Sequence, residues 1–154
     1  MENNEVFQLC FPGTSIDESA TFDRVEKELK KAAFYEQYGF VRDEAKTTPS
    51  YIYKENSGMG EISKQTENIA IRNIDKEDSL HRSYMNVTRA LNRLSMEHRN
   101  LITSRYMCEP EPIDLNVYTS LGMSERTYYR VKKEALSKLA YSLNLEVRTE
   151  PIEG

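Results

Sequence analysis

The chain has 154 residues, a formal net charge of -4 and 30% charged residues, with a mean hydropathy of -0.70. That length buries one moderate core, or one small domain with an extended arm, and excludes two full domains. No run approaches the roughly 18 apolar residues of a membrane span, and Met1-Glu2-Asn3-Asn4-Glu5 lacks the basic-then-apolar layout of a signal peptide, so a cytoplasmic protein without membrane contact is expected.

Residues 1–16 contain an apolar stretch, Val6-Phe7-Gln8-Leu9-Cys10-Phe11, closed by Pro12-Gly13, which suits an edge strand or an extended arm. From Thr21 the pattern turns helical. Phe22, Val25, Leu29 and Ala32 or Ala33 share one face, and Glu26, Lys27, Glu28, Lys30 and Lys31 occupy the other. Thr21 is the expected N-cap, with Asp23 in the first turn, and Gly39 is the expected stop after Tyr38. The Phe22-Val25-Leu29 face is more apolar area than a short isolated helix buries by itself, so a homodimer or higher oligomer formed through it is expected. The aromatic cluster Phe34, Tyr35, Tyr38 and Phe40 has mixed charges around it rather than the basic neighbours of a base-stacking platform, and suits a core or partner-helix contact.

The texture changes over residues 41–78, with Thr47-Thr48-Pro49-Ser50, then Asn56-Ser57-Gly58-Met59-Gly60, then a polar run; Tyr51-Ile52-Tyr53 is strand-like but too short to stand alone. A linker or loosely ordered region is expected there. Helical signals then dominate. Leu80, Tyr84, Val87, Leu91 and Leu94 fall on one face, with Arg82, Arg89 and Arg93 turned largely away from it. Ser95 breaks the run and can cap a second helix over residues 96–106, with Leu101, Ile102 and Tyr106 as its apolar positions. Glu109-Pro110-Glu111-Pro112 forbids helix across the next connection. Ile113, Val117, Tyr118 and Leu121 then give one apolar face over two turns, ending at Gly122.

The last helix follows Ser124. Tyr128, Val131, Ala135, Leu136, Leu139 and Leu143 form its inward stripe, which leaves Glu125, Arg126, Tyr129, Arg130, Lys132 and Lys133 outward or near the rim. A small residue at the turn, a capping hydroxyl and an apolar residue four places later are what a helix-turn-helix needs, and Gly122, Ser124 and Tyr128 supply them. The backbone N–H groups after Ser124 suit a phosphate. Arg126 and Arg130 can each offer a bidentate fork to guanine or phosphate, while Thr127 and Tyr129 can meet a thymine methyl or a phosphate. Ser124, Glu125, Arg126, Thr127, Tyr129, Arg130, Lys132 and Lys133 are therefore the candidate contacts to double-stranded DNA.

Charge distribution agrees with this. Residues 1–78 carry 10 Lys and Arg against 16 Asp and Glu, residues 79–154 carry 11 against 9, and residues 124–138 carry five against two. The expected architecture is all-α: an arm and helix over 1–40, a linker over 41–78, a helix-turn-helix DNA-binding domain over 79–146 and a tail over 147–154.

Cys10 and Cys108 lie far apart with no CxxC, and reduced thiols are expected. His81 and His98 stand in no metal-binding frame and read as surface or partly buried side chains, so neither metal nor cofactor is expected. No Ser/His/Asp set, P-loop or Gly-rich dinucleotide turn is present, and the expectation is a protein that is not an enzyme.

The segment Leu94-Ser95-Met96-Glu97-His98-Arg99-Asn100-Leu101-Ile102-Thr103-Ser104-Arg105-Tyr106, taken with Gly122-Met123-Ser124-Glu125-Arg126-Thr127-Tyr128 and Ala135-Leu136-Ser137-Lys138-Leu139, resembles the promoter-reading C-terminal domain, region 4, of bacterial sigma factors. Ile113-Asp114-Leu115-Asn116-Val117-Tyr118 with Ser124-Glu125-Arg126-Thr127-Tyr128-Tyr129-Arg130-Val131-Lys132-Lys133-Glu134-Ala135-Leu136 resembles the ArpU family of phage transcriptional regulators more closely. Phe11-Pro12, Ile16-Asp17 and residues 21–29 are similar to that family's opening. The resemblance implies a sigma-like helix-turn-helix fold, activation of late or lytic genes in a phage or prophage of a Gram-positive bacterium, and host RNA polymerase as a partner. A small terminase-type DNA-packaging adaptor would use the same helix-turn-helix. A complete minor sigma factor fits less well, because the N-terminal half is acidic rather than basic.

Overall fold

A computed structural model of the chain describes residues 16–44 and 59–149. Its helices are α1 (Glu18–Tyr38), α2 (Met59–Arg93), α3 (Met96–Tyr106), α4 (Asp114–Ser120) and α5 (Glu125–Leu143). The described residues form an all-α fold with one isolated antiparallel bridge, between Ile16 and Arg148. The apolar stretch at residues 6–11, the Tyr51-Ile52-Tyr53 fragment and Cys10 lie outside the described residues; Cys108 is an exposed free thiol. No helix among the described residues is long and apolar enough to cross a membrane.

Helix α1 starts three residues before the expected cap. The Asp17 carboxylate accepts from the Ala20 N–H at 2.9 Å and so caps the helix. Thr21 is instead completely buried, and its hydroxyl oxygen accepts from the Val147 N–H at 2.9 Å. The Asp17 N–H donates to the Val147 carbonyl at 2.8 Å. Residues 147 and 148, assigned to a tail, are thus clipped to the start of α1, and Thr21 is occupied by that clip. The other end of α1 stops as expected, with Gly39 at φ 65.

Helix α2 corrects the expected linker. It runs unbroken for 35 residues from Met59, so residues 59–78 are helical and the 78/79 boundary falls inside one element. The segment is polar because, among the side chains described before Leu80, only Asn73 is buried; a helix without a buried apolar face leaves little periodic signal. Asn73 pairs its amide with the backbone of residue 43, accepting from the Asp43 N–H and donating to the Asp43 carbonyl, both at 3.0 Å. Lys76 adds a 2.6 Å ion pair to Asp43. At the far end, Arg99 closes α2 by donating to the carbonyls of Leu91 (3.0 Å), which also accepts from the Leu94 N–H (3.1 Å), and Asn92 (2.7 Å), in the last turn where a helix leaves carbonyls open.

All five helices share one core. Val25, Leu29 and Ala32 of α1 meet Val87, Ala90 and Leu91 of α2, Leu101, Ile102 and Tyr106 of α3, Val117 of α4, and the inward stripe of α5. Val25 and Leu29 are completely buried within this core and Phe22 packs against it, so the face expected to dimerise is covered by the chain's own helices. The first helix is therefore part of the folded unit rather than an arm, because its apolar stripe is buried in the same core as α2 to α5.

Candidate nucleic-acid interface

The candidate surface begins at the turn between α4 and α5. Gly122 adopts φ 66, a left-handed conformation that side-chain-bearing residues rarely take, and this reverses the chain in the few residues between the two helices. The Ser124 hydroxyl accepts from the Thr127 N–H (3.3 Å) and donates to the Thr127 hydroxyl (2.9 Å), so the cap sits where the sequence puts it. The inward stripe is also as expected: Tyr128, Val131, Ala135, Leu136 and Leu139 are buried, and Leu143 packs at the edge. Ile113 departs from its expected apolar face. It is the residue preceding α4 and is 61% exposed.

Burying that stripe turns one side of the first turns outward. Ser124, Glu125, Arg126, Tyr129 and Arg130 are exposed and Thr127 is half-buried. Among the described residues Arg126 enters no ion pair, while Arg130 meets Glu134 one turn along its own helix at 2.8 Å. Glu125 lies in the first turn, where a negative charge favours the helix dipole.

Two candidates lie at the rim rather than fully outward. Lys132 reaches Asp114 at 3.2 Å, stands over the rings of Tyr106 and Tyr128 at 5.6 and 5.8 Å, and keeps only 14% of its side chain exposed. Lys133 binds Glu18 of α1 at 2.7 Å with 23% of its side chain exposed. Both lie at the rim for one reason: long aliphatic stems beside a buried stripe fold along it when a carboxylate on a neighbouring helix receives the ammonium.

Asp114 is the residue the sequence reading left without a role. It is the first residue of α4, and its carboxylate accepts from the Arg105 guanidinium of α3 (2.6 Å), from the Tyr128 hydroxyl (2.7 Å) and from Lys132 (3.2 Å). Burial alone would push its pKa up, but the hydrogen bonds from Tyr128 and Arg105 and the Lys132 charge outweigh it and hold the carboxyl below its ordinary value. Burial, reinforced by the bond to Asp114, pushes the Tyr128 phenol up. Arg105 also binds Glu111 (2.5 Å), which in turn pairs with Lys30 of α1 at 3.1 Å, and Tyr106 donates to Glu26 of α1 at 2.6 Å. The Arg105 hydrogen bond is the main reason the Glu111 carboxyl sits low. Part of the negative charge in the Glu109-Pro110-Glu111-Pro112 loop is thus compensated by Arg105 and Lys30. This network ties α4 and α5 to α3 and α1, and it fixes the direction in which Arg126 and Arg130 project.

A second cluster supports Arg130. His98 is 5% exposed, deeper than a surface or partly buried side chain, and lies 3.4 Å from Glu134 and 3.3 Å from Lys138. The local signal for the first cluster is Asp114 at the start of a helix, which dipole arguments explain without any distant partner. Against protein-family models, curated proteins and solved structures, the chain gives no match.

Proposed function

We propose that the chain is a sequence-specific DNA-binding transcriptional regulator of the ArpU type, with a sigma region-4-like helix-turn-helix formed by α4 and α5, acting on late or lytic genes of a phage or prophage. The observation that carries this reading is the first two turns of α5. A Ser124-capped helix N-terminus, an Arg126 with no ion pair among the described residues, and exposed Tyr129 and Arg130 stand together on one outward side of a helix whose opposite stripe is buried in the core. Open backbone N–H groups suit a phosphate, and guanidinium forks on the same side suit guanine edges or phosphates. Lys132 and Lys133 leave the list of direct contacts and act in this reading by holding α5 on its supports. Host RNA polymerase remains the expected partner through which such a regulator would act.

The test is selection of a preferred duplex from a random-sequence pool, followed by electrophoretic shift assays on it. Arg126→Ala and Arg130→Ala should each weaken binding by about 1–3 kcal/mol. Retention of full affinity by both variants overturns the reading.

A further inference from the structure

We propose that α2 carries a second anion-binding surface, a track for nucleic-acid phosphates formed by Arg82, Arg89 and Arg93. The inference rests on the DNA-binding reading but uses none of its residues. Spacings of seven and four place the three arginines in one narrow stripe of the helix, with Asn86 between them, and all four are exposed. Eleven residues at about 1.5 Å each span roughly 16 Å, close to five base-pair steps at about 3.4 Å.

What distinguishes the stripe is that three aligned guanidiniums lie together with no carboxylate among the described residues holding them, while several cations elsewhere are committed. Lys30, Lys76, Arg105, Arg130, Lys132 and Lys133 each hold a carboxylate. Among the described residues no ion pair involves Arg82, Arg89 or Arg93, and Arg82 uses only its Nε, donated to the Asp78 carbonyl at 3.3 Å. Beside the stripe, where α2 passes the end of α5, lies a shallow pocket lined by Asn86, Arg89, Arg93, Ser142 and Asn144, with no carboxylate. Glu28 is the acidic group in the neighbouring depression that Arg82 lines, and it is engaged by the Ser83 hydroxyl at 2.5 Å and by Lys31 at 3.5 Å.

The chemistry favours nucleic acid over an acidic protein. Guanidinium forks accompanied by amide and hydroxyl donors are what phosphate oxygens receive in protein–DNA contacts. Protein interfaces centre instead on large apolar or aromatic anchors, and the apolar residues in this pocket are the buried Ala90 and the partly buried Leu143. A chain of net charge -4 also has no overall attraction for a polyanion, so contact must come from local concentrations of positive charge. Residues 126 and 142 of α5 are about 24 Å apart along the helix, so the stripe would meet different phosphates from those near Arg126.

The experiment measures the salt dependence of affinity of the full chain for a 30-base-pair duplex of arbitrary sequence, comparing wild type with the combined Arg82→Gln, Arg89→Gln and Arg93→Gln variant and with the combined Arg126→Gln and Arg130→Gln variant. For three phosphate contacts the slope of log affinity against log salt should flatten by about 2.7, at ~0.9 per contact. Each single substitution should flatten it by about 0.9, and these singles decide the question if the triple variant fails to fold. An unchanged slope in the stripe variants, with loss in the Arg126 and Arg130 variant, overturns this inference alone. A flattened slope in the stripe variants with no effect at Arg126 and Arg130 supports the stripe and overturns the reading of α5. A wild type without affinity for the duplex at low salt overturns both.

Discussion

Asp114 gathers donors from α3 and α5 on one partly buried carboxylate, and so connects the chemistry of single side chains to the aim of the candidate reading helix. Asp114→Asn leaves Arg105 and Lys132 without that charge and should cost about 2 kcal/mol at neutral pH, measured by urea denaturation. The pH dependence follows from the depressed carboxyl. A group whose pKa is lower folded than unfolded contributes stability that is present above its unfolded value, about 3.9, and is lost as pH falls through the folded one. The stability difference between wild type and Asp114→Asn should therefore hold at neutral pH and shrink steadily below about pH 4. A difference that persists unchanged in acid would show that the carboxylate charge is not what stabilises the network. None of this was legible locally. Asp114 reads as an ordinary first-turn acid, and its partners lie 9, 14 and 18 residues away.

The elements themselves were more readable, and unevenly so. The α3 and α5 boundaries follow from Ser95 and Ser124, whose hydroxyls satisfy the backbone groups a helix N-terminus leaves open. The same serine chemistry leads to an element-scale prediction: Ser124→Ala should destabilise the fold by about 1 kcal/mol, as Ser95→Ala should. Of the two, only Ser124→Ala should also weaken DNA binding at matched folded concentration, because its helix N-terminus belongs to the candidate interface. Equal binding by both variants would separate the cap from function. Thr21 misled because Asp17 and Thr21 are both competent caps, and the choice between them was made by Val147, 126 residues away. The start of α2 was hidden for a different reason. A 35-residue helix whose described residues before Leu80 bury only Asn73 shows no apolar period there, and hydrophobic patterning detects burial rather than helix as such.

At the scale of the whole molecule, the separation into arm, linker and DNA-binding domain gives way to one core. Leu29 is the deciding residue, because it is completely buried among residues of all the other helices' shared cluster. Leu29→Ala should cost about 2–5 kcal/mol and lower a single cooperative transition reported equally by far-ultraviolet dichroism and by tyrosine fluorescence. Two separated transitions, with the α3 to α5 unit unaffected, would restore the arm. By itself the sequence determined the all-α class, the caps at Ser95 and Ser124, the Gly39 and Gly122 stops and the inward stripe of α5, because each depends on residues within one or two helical turns. Only the tertiary structure decided that α1 joins the core, that Lys132 and Lys133 pair with carboxylates on other helices, that Asp114 gathers donors behind the candidate interface and that Arg82, Arg89 and Arg93 have no ion pair among the described residues. Those outcomes depend on which distant carboxylates and apolar faces meet, and pairings between distant residues leave no mark in local spacing.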